Sequence, residues 1–72
     1  MIRKPVKSSQ IKSVGYEPSS KMLEVEFANG AVYRYHGVED HDHHAFVNAP
    51  SIGSHFHAQI KGKHKHEKVT AK

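Results

Sequence analysis

Seven of the chain's eight histidines fall between positions 41 and 66, with Asp40 and Asp42 among them, and such a cluster could hold a metal. Zinc takes four ligands at about 2.0–2.2 Å in a tetrahedral array. The helical spacings on offer are His41 with His44 and Asp40 with His44. Neither reproduces a recognised metalloenzyme pattern such as His-Glu-x-x-His. His64-x-His66 lies in a basic, unpatterned tail. The expected reading is solvated helix and tail residues that take nickel or zinc adventitiously, with no dedicated metal and no cofactor.

A second chemistry is phosphate binding. Lys61, Lys63 and Lys65 interleave with His64 and His66, and flexible cations neutralise phosphates without a sequence code. The competing reading of the same residues is a solubilising tail that binds nothing. Tyr33-x-Tyr35 brackets Arg34. The tyrosines could stack on single-stranded bases, or be buried with their hydroxyls at the rim. Arg34 either contacts a phosphate or only pairs with Glu24, an exposed pair worth about 0–1 kcal/mol. Catalysis has little support. Ser, His and Asp are abundant, but no nucleophile elbow, phosphate loop or paired-carboxylate motif is present.

Charge is divided along the chain. Residues 1–12 carry Arg3, Lys4, Lys7 and Lys12 and no acid; residues 61–72 carry five lysines against Glu67. Residues 13–60 hold only Lys21 and Arg34 against six carboxylates, so an acidic body separates two basic ends. Protonating all eight histidines would raise the formal charge from +4 to +12, so anion affinity should depend steeply on pH. With 72 residues there is room for one small domain, whose core supplies perhaps ~3–5 kcal/mol. Cysteine is absent, which excludes disulfides and thiolate sites and suggests a reducing, cytoplasmic setting. Neither a secretory leader nor a membrane span of roughly 20 apolar residues is expected.

The elements that must position these residues begin after a basic, flexible arm, residues 1–8. Gln10 to Tyr16 reads as a first strand whose broken alternation around Gly15 suggests a bulge. Glu17-Pro18-Ser19-Ser20 is a turn. Met22 to Phe27 alternates well. A two-residue Asn29-Gly30 loop would set Val25 opposite Arg34 and mix charge with the core. A three-residue loop, Ala28-Asn29-Gly30 with Gly30 left-handed, sets Leu23 by Tyr35, Val25 by Tyr33 and Glu24 by Arg34, and is preferred. Glu39, Asp40 and Asp42 then favour a helix start, and Asn48-Ala49-Pro50 ends that helix. Ser51 caps a last helix in which Ile52, Phe56 and Ile60 form one stripe, with Gly62 as its stop.

The ordered series Ser9-x-Ile11-x-Ser13-Val14-Gly15-Tyr16, Leu23-Glu24-Val25-Glu26-Phe27, Asn29-Gly30, Val32-Tyr33-x-Tyr35, Ala49-Pro50-Ser51-x-Gly53-x-x-Phe56 and Ile60-Lys61 resembles the KTSC domain. That module is named after the C-terminus of certain lysyl-tRNA synthetases and also occurs as free-standing small proteins in bacteria and phages. The resemblance covers residues 8–63 and implies RNA binding, the role usually proposed for it. The chain departs from the pattern at His43, His55 and His64, where an aromatic is usual, at Glu39, where a Pro is usual, and at His57, where an Asn is usual.

The expected architecture is α+β: a three-stranded antiparallel meander covered on one face by two short C-terminal helices. Residues 9–62 form the domain and 63–72 a basic His/Lys tail. Its expected core is Ile11, Val14, Leu23, Val25, Phe27, Tyr33, Tyr35, Phe46, Phe56 and Ile60. The expected function is non-catalytic binding of RNA or single-stranded nucleic acid through Arg34, Lys61, Lys63, His64, Lys65 and His66. The alternative is a protein-interaction or self-association module using the exposed sheet face or a strand edge, as a monomer or weak homodimer.

Overall fold

In the computed structural model, which describes residues 3–69, the strands are β1 (Lys4–Pro5), β2 (Ile11–Glu17), β3 (Met22–Phe27), β4 (Val32–His36) and β5 (His66–Lys68). Between β4 and β5 lie α1 (Asp40–Val47), α2 (Ile52–His55) and a π-helical turn, Phe56–Ile60. The α+β class and the helical cover are as expected, but the sheet has five strands, in the order β1-β2-β3-β4-β5, not three. Both added strands come from segments read as arm and tail. Lys4 pairs with Val14 and Pro5 with Ser13; Tyr33 pairs with Lys68, Arg34 with Glu67 and Tyr35 with His66. Met1, Ile2 and residues 70–72, the outer ends of the expected arm and tail, lie outside the described residues.

The β3–β4 register is the one the three-residue loop predicts. Leu23 faces Tyr35, Glu24 faces Arg34 and Val25 faces Tyr33. Phe27 N–H donates to the Ala31 carbonyl at 2.8 Å, and Gly30 takes φ +93°. A Cβ added at Gly30 would meet nothing within 4 Å, so any cost of substitution lies in the backbone. Gly30→Val should therefore lower stability by about 1–2 kcal/mol, read as a reduced urea midpoint. Gly30→Asn should cost much less, because Asn tolerates the left-handed region. Equal losses for the two would place the cost elsewhere.

The β2 bulge falls between Ile11 and Ser13, not around Gly15, which keeps its pairing with Glu24. The extra residue returns Ile11 and Val14 to the same buried face. On the other face lies Gly15, paired with Glu24. In register, Arg3 lies beside it and reaches Glu24 Oε1 at 3.3 Å, while Arg34 Nε reaches Glu24 Oε2 at 3.2 Å. Glu24, only 7% exposed, thus sits between two arginines.

The buried core contains eight of the expected residues and adds Val38 and Ile52; Phe27 and Tyr33 pack against it only partly buried. Ser51 Oγ accepts from Ser54 N–H at 3.4 Å, and Gly62, at φ +86°, follows the helix end. The last helix leaves α geometry at Phe56 and closes with Lys61 N–H donating to the Phe56 carbonyl at 2.8 Å, an i→i−5 bond. A side chain every fourth residue drifts about 40° per step around an α-helix. The wider π turn offsets that drift and keeps Ile60, 1% exposed, over the same core as Ile52 and Phe56.

Candidate nucleic-acid interface

Alternation along β4 places Tyr33 and Tyr35 on the helix-covered face, and β5 brings His66 onto that face beside them. His66 stacks on Tyr35 with ring centroids 5.2 Å apart and 28° between planes, and leans on Tyr33 at 5.8 Å. Phe56 meets both Tyr35 and Phe27 edge-on at 5.3 Å. The π turn and the residue that caps it contribute His57 and Lys61, four residues apart, to the lining of the cleft these rings enclose. The cleft holds about 220 Å³. Phe56 and Tyr35 are its buried floor; Tyr33 and Phe27 are half-buried; His57, Lys61 and His66 are exposed. Burial, with a smaller contribution from Tyr33, pushes the Tyr35 hydroxyl above its ordinary pKa, so it remains a neutral donor.

Among the described residues, no carboxylate lines the cleft. Glu67, between His66 and Lys68 on β5, faces the other way and lies 3.8 Å from His36 Nε2. The cleft therefore offers aromatic faces and cationic groups with nothing to repel a phosphate, which is the chemistry of stacking with backbone neutralisation.

The structure brings Lys61 and His66 together there. Arg34 lies on the opposite face, held by Glu24. Lys63 Nζ donates to Gln59 Oε1 at 3.3 Å, His64 Nδ1 lies 3.1 Å from the His36 carbonyl, and Lys65 is exposed while its carbonyl accepts from His36 N–H at 2.8 Å. These three occupy the turn that feeds β5 into the edge. Sequence reasoning missed His57 and the partial exposure of Phe27 and Tyr33. The i, i+4 spacing of His57 and Lys61 was the available signal.

The remaining histidines disperse. His43 stacks on Tyr16 at 4.5 Å and 11°, while His41 lies 3.5 Å from Asp42. Among the described residues no three His, Asp or Glu side chains converge as a metal set would. Burial, followed by the nearby His44, lowers the His43 pKa below 6.5, with Asp40 opposing. The unfolded chain then takes up this proton first, so the contribution to stability is present above about pH 6.5 and is lost as pH falls through the folded value. His43→Phe keeps a ring on Tyr16 but cannot titrate. Its melting temperature should fall less than that of the parent between pH 7 and pH 5, and parallel falls would refute the assignment.

The KTSC domain family matches residues 7–64. An uncharacterised protein of Stutzerimonas stutzeri is 42% identical over 64 residues, covering 89% of this chain and 90% of that protein. A lysine–tRNA ligase of Nostoc sp. is 40% identical over 62 residues, which are 86% of this chain but only 11% of the ligase. The crystal structure of a KTSC domain protein from Yersinia pestis superposes with a TM-score of 0.91 at 43% identity, covering 96% of this chain and 97% of that one. Among the described residues, no helix is long and apolar enough to cross a membrane. The motifs, the fold and these matches agree that the chain belongs to the KTSC domain family.

Proposed function

We propose that this chain is a small, non-catalytic cytoplasmic module that binds RNA or single-stranded nucleic acid in the cleft between the π turn and the β4–β5 edge. The observation that carries this reading is the pairing of accessible rings, Tyr33 and His66, with Lys61 and His57 in a cleft that no carboxylate among the described residues lines. Bases stack on the rings, and Lys61 neutralises the adjoining phosphate. Lys63 and Lys65 extend the positive path along the turn. The relation to lysine–tRNA ligases supports an RNA partner. Self-association through a sheet edge is disfavoured, because the edge strands are only two and three residues long and Pro5 sits on one of them.

The test is fluorescence anisotropy with a labelled single-stranded oligonucleotide across a salt series. Affinity should fall linearly in log–log salt, and Lys61→Glu should flatten the slope by about 0.7 for each phosphate that is no longer neutralised. Tyr33→Ala should remove about 1–3 kcal/mol of stacking, provided its circular dichroism melt stays cooperative. Binding that ignores salt and both substitutions would reject this cleft.

A further inference from the structure

At the sheet edge opposite the aromatic cleft, β1 and α1 hold a second, larger concavity of about 600 Å³ between them. Its apolar surface is aliphatic: Val14 and Ile52 are buried beneath it, and Val6 and Val47 are half-buried along its walls. Lys4 and Lys7 project from one rim, His43 and His44 from the other, and among the described residues no carboxylate lines it. We infer that this groove is a docking site for a short acidic segment of another protein that carries aliphatic side chains.

Two features select that occupant. A groove walled by valine and isoleucine offers a base only the two imidazoles of one rim, the exposed His44 and His43, which has one face taken by Tyr16. It does match the side chains of leucine, valine or isoleucine. The rim supplies the complementary sign. Burial keeps His43 largely neutral at pH 7, so the lysines carry the permanent charge.

The groove also has a direction. Asp40 borders a smaller depression that shares Lys4, His43 and His44 but not Lys7. The acidic groups of the occupant are therefore drawn to the Lys7 end, away from Asp40. Strand addition contributes little, since Pro5 has no N–H to donate. Recognition rests on the aliphatic pocket and the lysines. This site needs nothing from the aromatic cleft, and occupancy of both would let the domain bridge a protein and a nucleic acid.

The test uses the full chain, labelled with 15N, and a short synthetic peptide alternating aspartate with leucine. A peptide in which lysine replaces aspartate serves as control, and a single-stranded oligonucleotide is titrated separately. The acidic peptide should shift the amide signals of Val6, Val47 and Ile52. The exposed double substitution Lys4→Glu/Lys7→Glu should weaken its binding roughly tenfold or more, while leaving the melt and oligonucleotide binding at the Lys61 cleft unchanged. Shifts that are absent or fall elsewhere would overturn the proposal, as would equal binding of the basic peptide or indifference to the double substitution. Shifts in the groove from the oligonucleotide but not the peptide would assign it to nucleic acid and overturn it equally.

Discussion

Phe56→Ala should leave the chain largely unfolded at room temperature. The ring is 1% exposed and contacts Phe27, Tyr35 and Phe46, so it joins both helices to two strands. Truncating a buried Phe costs about 3–5 kcal/mol in forfeited transfer energy and residual cavity. A domain of this size has about that much stability in total. Phe56→Leu retains most of the volume and should keep a cooperative, lowered melt. Circular dichroism and urea titration separate the outcomes; a Phe56→Ala melt close to the parent would mean that the last helix does not close the core.

Glu24→Ala should be the next most damaging change, at roughly 2–4 kcal/mol. That figure lies between the 0–1 kcal/mol of an exposed pair and the 3–5 kcal/mol that removing one partner of a buried pair costs. Glu24 itself is enclosed, whereas the side chains of Arg3 and Arg34 are 31% and 37% exposed and can recover some hydration. The loss should be larger than for Arg3→Ala, because removing Glu24 strands two cations and removing Arg3 leaves Glu24 one partner. Equal effects in a urea series would show that the Arg3 pair carries the whole interaction and that Arg34 adds nothing.

Short-range chemistry was legible in the sequence. Alternation in β3 and β4, with Gly30 between them, left one register that keeps charge off the core, and Ser51 and Gly62 marked the last helix. The edge strands were not legible. β1 has two residues and β5 three, all exposed, so neither shows an apolar period; their pairing is decided by strands already in place. The π turn was equally silent, since a stripe at every fourth residue suits either helix type. Missing β5 hid how His66 joins the candidate site. Lys61 and His66 were singled out as phosphate-binding cations, but only the β4–β5 pairing sets His66 against Tyr35.

The sheet order repeats the chain order, so every strand pairs only with its neighbours in sequence. Apart from β4–β5, which are joined through the helices, such a network closes over short loops and belongs toward the faster end of folding rates for mixed folds. It also opens from its margins. β1 and β5 can each detach without unpairing any other strand, and local opening of this kind costs less than global unfolding. The aromatic cleft borrows His66 from β5, and the aliphatic groove borrows its lysine wall from β1 and the residues after it. Both surfaces therefore rest on the first parts of the molecule to let go. A ligand at either one would register as slowed amide hydrogen exchange in that margin alone, while the β3–β4 hairpin kept its unliganded exchange rate.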